Sequence, residues 1–189
     1  TTASLMSWVL FELGNRPEWQ EKLRNEYRGV VGDGAVEISH LRQLLQMTYV
    51  LKEGERLYPP LVFIIRGVLE DIEFSGYRIP AGWNVMVAPI FSHRLPEIYV
   101  EPDLFDPDRF APPRAEDSKH PYALIGFGGG VHSCIGIEFA KMEMKLIVGI
   151  LLNNYDLVSN PLPDGVDYPV RRLVETQPKL SITLMPIKN

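Results

Sequence analysis

The stretch Phe127-Gly128-Gly129-Gly130-Val131-His132-Ser133-Cys134-Ile135-Gly136 constrains this chain more than any other segment. Cys134 is the only cysteine among 189 residues, which excludes an intrachain disulfide framework and fits a reducing compartment. It falls where a glycine-rich loop turns into an apolar helix predicted over about 135–153. A thiol at such a place faces unpaired backbone N–H groups, which favour the thiolate. The glycines let the backbone approach something flat and large. A lone cysteine is commonly a small buried hydrophobe, and a glycine run is commonly a turn. Against this, the pattern Phe-x-x-Gly-x-His-x-Cys-x-Gly is long and tightly constrained. Zinc is disfavoured, because there is no second cysteine and His40, His93, His120 and His132 lack ligand spacing.

Thiolate ligation from a loop of this kind is one way that iron in haem is held, with the sulfur pushing electron density toward bound oxygen. The segment resembles the haem-binding loop of the cytochrome P-450 family. Three further stretches match that family in order. Lys52-Glu53-Gly54-Glu55-Arg56-Leu57-Tyr58-Pro59-Pro60 resembles its Glu-x-x-Arg helix, Phe105-Asp106-Pro107-Asp108-Arg109-Phe110 its Pro-x-Arg-Phe segment, and Thr1-Thr2-Ala3-Ser4 the end of its oxygen-activating motif. The resemblance covers nearly the whole chain. It implies a mainly α fold with small β-sheets, corresponding to the C-terminal half of a P-450.

Bulk properties agree with a globular domain. The chain is 46% hydrophobic with mean hydropathy −0.04, and its net charge of −5 with a pI near 5.4 disfavours nucleic acid as a partner. No apolar run reaches membrane-spanning length and no signal peptide opens the chain. A cytoplasmic, bacterial-type location is expected, with an anchor upstream left open. The chain opens inside an apolar helix, so a longer parent is expected, whose N-terminal half would supply the other wall of the pocket.

Along the chain, helices are predicted from the start to Gly14, from Pro17 to about Val31, from His40 to about Leu45 with Ser39 as cap, and from about Thr48 to Tyr58, stopped by Pro59-Pro60. Residues from about 61 to 90 read as β-rich, with a hairpin at Ser75-Gly76 and a buried strand over Trp83–Ile90. A proline- and charge-rich meander occupies about 96–121. After the cysteine helix, 155–189 read as strands with turns. All of this forms one domain without an internal linker.

The resemblance assigns roles residue by residue. Cys134 would be the axial ligand of haem b. Phe127 would pack beside the sulfur, Gly128 would shape the loop, and Gly136 would permit close approach of helix to ring. His132 and Arg66 would pair with the propionates; a solvated loop histidine and a strand-edge charge are the alternatives. Glu53 and Arg56, one helical turn apart, would bond Arg109 in a buried structural network. Thr1 matches the hydroxyl that helps deliver protons at the iron, and Thr2 is its neighbour. Val62, Phe63, Ile64 and Ile65 match the strand passing over the ring, and Leu173 and Val174 the turn entering the pocket. Any of these six can equally be plain core, and their apolar character favours a lipophilic substrate.

Within the family, several stretches look closest to bacterial-type sterol 14α-demethylases: Pro60 to Arg66, Arg94-Leu95-Pro96-Glu97, Pro112 to Asp117, and His132. Val131 departs from that group, as do Gly54-Glu55, which replace the usual Thr-Leu. The implied activity is monooxygenation of a sterol or terpenoid-like lipid, with electrons from a ferredoxin, flavodoxin-type or reductase partner. Lys141 and Lys145 on the cysteine helix are docking candidates, or else a solvated face. The alternatives are a peroxide-using or rearranging relative and a non-catalytic or split fragment that works only with its other half.

Overall fold

In the computed structural model, residues 1–32, 34–162 and 180–187 are described. Among these residues, six helices carry the fold: α1 (Thr2–Gly14), α2 (Pro17–Val31), α3 (Ile38–Gln43), α4 (Leu45–Leu57), α5 (Pro89–Ser92) and α6 (Ile137–Asn154). Among the described residues, three antiparallel strand pairs flank them: β1 (Ile64–Gly67) with β4 (Asn84–Val87), β2 (Ile72–Phe74) with β3 (Tyr77–Ile79), and β5 (Tyr155–Ser159) with β6 (Ile182–Pro186).

The core lies where α1, α2, α4 and α6 meet. α1 is apolar on most sides and buries Leu5, Trp8, Val9, Phe11 and Leu13. An all-round apolar helix is a central one. Trp8 stacks flat on Tyr58 at 4.5 Å between centroids, tying α1 to the end of α4. The two helices touch at Gly54, where a Cβ would lie 2.4 Å from Val9 Cγ2. A threonine cannot occupy that crossing unless Val9 or α1 shifts, which gives a packing reason for the departure at this position. Gln20 of α2 reaches the tail sheet: its amide nitrogen donates to Leu13 O and Leu157 O, and its Oε1 accepts from Leu157 N–H, each at 2.8 Å.

Four local expectations are corrected. α3 is capped by Glu37, which exchanges capping-box bonds with His40, so Ser39 lies inside the helix. α4 starts three residues earlier than the pattern suggested, at Leu45, directly after Leu44 breaks the chain. α6 starts at Ile137, because Gly136 takes the cap position. Trp83–Ile90 is not one buried strand: only Asn84–Val87 is strand, it pairs on one edge with β1 and is largely exposed, and Pro89 opens α5. Apolar β-branched composition reported strand type there but not burial.

Candidate active site

α4 organises the site from two faces. On one, Glu53 and Arg56 form a bidentate pair, Arg56 Nε donating to Glu53 Oε2 at 2.7 Å and Nη2 to Oε1 at 2.8 Å. Arg109, from a 3-10 turn at Pro107–Phe110, donates Nε to the same Oε1 at 3.0 Å and Nη1 to Glu116 Oε2 at 2.7 Å. Glu53, Arg56 and Arg109 are fully buried. The remaining donors are used on the backbone: Arg56 bonds the carbonyls of His93, Pro102 and Leu104, and Arg109 those of Val100, Glu101 and Leu104. Asp106 N–H also donates to Glu53, at 2.8 Å. Buried charges persist only with this degree of pairing and hydrogen bonding. The structure thus brings Glu53, Arg56 and Arg109 into one network that pins the meander onto α4.

Sequence reasoning missed Glu116, Arg114 and His93. Burial pushes the Glu116 carboxyl up, but hydrogen bonds from Arg114 and Arg109 outweigh this and hold it below the usual range. Nothing in the local pattern marks Glu116, since its partners come from tertiary contact. His93 is fully buried; its Nε2 accepts from Ile125 N–H at 2.9 Å, and its Nδ1 lies 3.2 Å from Arg56 O. An accepting Nε2 requires the proton on Nδ1, so the ring is neutral and links α4 to the entrance of the cysteine loop. Burial, above the neighbouring guanidinium charges, pushes its pKa down to about 4.

The loop itself runs from Phe127 to the start of α6. Cys134 N–H donates to Phe127 O at 2.8 Å, which closes the loop and presents an exposed thiol just before the helix. Gly128 turns the chain with φ +77°, a conformation suited to glycine. Gly136 is the α6 cap residue, where a Cβ would sit 3.9 Å from Cys134 Sγ.

A cavity of about 270 Å³ opens in front of the thiol and is lined by Thr1, Leu61, Ile64, Arg66, Phe127, Gly128, His132 and Cys134, among others. A neighbouring cavity shares Ile64, Arg66 and Gly128. The fold therefore gathers Cys134, His132, Arg66, Ile64, Thr1, Phe127 and Gly128, contributed by three separate segments: the start of the chain, β1 and the cysteine loop. Val62 and Phe63 are half-buried just before β1, Ile65 on β1 is exposed, and Thr2 is half-buried in α1; none of these four lines that cavity. Leu173 and Val174 lie outside the described residues. Val131 and Ile135 stand fully exposed on either side of the thiol. One sulfur donor, two cationic or hydrogen-bonding side chains and apolar walls form a donor set that fits haem, with sulfur for iron and nitrogen for carboxylates.

Lys145 is not a surface lysine. It is buried and donates to Leu41 O at 2.8 Å, holding α6 to α3. Lys141 lies 5.9 Å from the Phe127 ring centroid, a cation over the ring of the cysteine loop. No described helix is long and apolar enough to cross a membrane.

Comparison with known proteins decides the family. The sequence profile described as Cytochrome P-450 matches residues 1–184. The chain belongs to the cytochrome P-450 family. A relative from Mycobacterium tuberculosis that carries the name cytochrome P-450 136 is 40% identical over 99% of this chain and 35% of its own length. A sterol 14α-demethylase of Mycolicibacterium vanbaalenii is 40% identical over 87% of this chain and 37% of its own length. The solved structure of a cyanobacterial P-450, CYP120A1 with retinoic acid bound, superimposes with a TM-score of 0.88 at 29% identity, covering 98% of this chain and 42% of that one. The mainly α architecture with small antiparallel sheets is therefore part of the P-450 fold. The chain spans about a third of the length of the curated relatives it matches.

Proposed function

We propose that this chain is the thiolate-bearing part of a P-450 monooxygenase that inserts one oxygen atom from O2 into a lipophilic substrate, of sterol or terpenoid-like character, with electrons from a redox partner. The observation that carries the reading is the exposed Cys134 thiol at the mouth of α6, facing a cavity that also holds Arg66 and His132. Bound there, haem b would supply activation of molecular oxygen, and Cys134 would hold its iron. Arg66 and His132 would hold the propionates by charge-assisted hydrogen bonds. Thr1, on the cavity wall, carries a hydroxyl able to accept and pass a proton; Thr2 is its neighbour on α1. Ile64 and Leu61 give the cavity an apolar wall. The Glu53–Arg56–Arg109 network acts on no substrate atom; it sets the meander, and through it the approach to the loop.

Family membership supports haem-thiolate chemistry, and the likeness to a sterol 14α-demethylase and to a retinoic-acid-binding P-450 supports a lipophilic substrate class. The test is the carbon-monoxide difference spectrum of the reduced haem-loaded protein, with Cys134→Ala beside it. A strongly red-shifted thiolate-type Soret band in the parent, lost in Cys134→Ala while haem content remains measurable, is expected. An unchanged band in the variant would overturn the assignment of Cys134.

A further inference from the structure

His93 joins the buried ion-pair network to the cysteine loop. It ends α5, its N–H donating to Pro89 O at 2.8 Å, and it is fully buried. Arg56 grips it twice. The guanidinium Nη1 donates to His93 O at 3.0 Å, and His93 Nδ1 lies 3.2 Å from the Arg56 carbonyl. The far side of the ring meets the loop, where Nε2 accepts Ile125 N–H at 2.9 Å. A backbone N–H can only donate, so Nε2 carries no proton and Nδ1–H donates to Arg56 O. One tautomer satisfies both partners, one on α4 and the other on the loop.

Ile125 opens a tight turn. Gly128 N–H returns to Ile125 O at 2.8 Å, which closes the turn over Ile125–Gly128. Its third residue, Phe127, accepts Cys134 N–H on its carbonyl at 2.8 Å. The turn is therefore held at its first amide by His93 and carries the cysteine amide at its third carbonyl. Gly128 leaves little slack, since a Cβ there would lie 3.1 Å from His132 O. Gly126, Phe127 and Gly128 also line the cavity in front of the thiol. A shift of Ile125 is thus passed to the thiol and to the cavity wall together.

We propose that His93 is a positioning residue of the iron ligand: through its unprotonated Nε2 it fixes the Ile125–Gly128 turn, and so the place of Cys134, relative to the Arg56 end of the ion-pair network. The proposal rests on Cys134 being that ligand. Of the two ring bonds, only the one to Ile125 reaches the loop; the one to Arg56 O orients the ring. Two carboxamide side chains separate them. Glutamine can place an oxygen near the Nε2 site and keep an acceptor for Ile125. Asparagine can place its nitrogen near the Nδ1 site and keep the donor to Arg56, leaving Ile125 N–H without its acceptor. A residue needed only for the fold would show similar damage in both, since each variant loses one hydrogen bond of similar worth.

The experiment is the carbon-monoxide difference spectrum of the reduced, haem-loaded protein, with amide hydrogen exchange at Ile125, in the parent, His93→Gln and His93→Asn. The thiolate-type band is expected to stay dominant in His93→Gln and to give way to a blue-shifted, thiol-type band in His93→Asn, with haem content retained. Exchange at Ile125 is expected to rise about tenfold in His93→Asn and to stay near the parental rate in His93→Gln. A parental spectrum in His93→Asn, or the same loss of the thiolate-type band in both variants, overturns the proposal. If neither variant folds, the parent decides: an Ile125 amide that exchanges as freely as that of the fully exposed Val131 overturns the proposal, and a protected one upholds it. Exchange does not depend on what ligates the iron, so absence of a thiolate-type band in the parent would instead overturn the Cys134 reading.

Discussion

Glu53 and Glu55 stand two residues apart on one helix, both buried, and they live in opposite worlds. Two positions along an α-helix are about 200° apart, so the side chains enter different regions. Glu53 meets two guanidinium groups on the meander side, and its charge is matched at 2.7–3.0 Å. Glu55 packs against Gly126 on the cysteine-loop side, with the nearby ammonium groups shared among other acids. The first region is a saturated ionic lock. The second is under-charged, and burial pushes its carboxyl up to about 7. Burial costs an acid its charge unless fixed positive charge is adjacent, and α4 shows both outcomes within one turn.

The largest effect that would break this contrast is removal of the lock. Glu53→Ala leaves Arg56 buried without its carboxylate and Arg109 with Glu116 alone, and a loss of about 3–5 kcal/mol is expected in denaturant unfolding, with haem content falling. A loss under about 1 kcal/mol would mean that the two sides of α4 are alike after all.

Next comes pH. A carboxyl raised to about 7 binds its proton more readily in the folded than in the unfolded chain, so between about 4.5 and 7 its contribution to stability falls as pH rises. His93, lowered to about 4, acts in the opposite direction: its contribution is lost as pH falls from about 6.5 to 4. Each is on the order of 3 kcal/mol, and over their shared window they oppose one another. The parent is thus expected to show a shallow stability profile between pH 5 and 6.5. Glu55→Gln should expose a profile rising with pH, and His93→Asn one falling with pH, read from unfolding midpoints at fixed ionic strength.

Packing behind α4 gives a smaller effect. Gly54→Ala drives a methyl into Val9 and is expected to cost about 1–3 kcal/mol in thermal unfolding, without changing either pH profile. Smallest is Lys22→Ala, which removes the half-exposed bridge from α2 to Asp108, next to Arg109 in the meander. A loss of at most about 1 kcal/mol is expected, vanishing in high salt. The same ion-pair chemistry is thus worth least where water reaches it.

Local chemistry was legible from the chain alone. The Pro17 start of α2, the Pro59 stop of α4 and the ordered motifs that place Cys134, Glu53, Arg56 and Arg109 are short-range signals, because proline stereochemistry and motif spacing act within a few residues. The cap of α3 and the exposed strand at Asn84–Val87 were misread, since competing caps differ little in energy and burial is set by neighbours remote in sequence. Which charges meet was decided only in three dimensions. Glu116 joining Arg109, His93 bridging Arg56 to Ile125, Lys145 turning inward to Leu41 and Glu55 reaching Gly126 each require segments brought together by folding. The sequence by itself determined the cysteine loop and the helix that follows it; the tertiary structure decided the electrostatic surroundings, because desolvation and partner distance belong to the packed chain and to no residue alone.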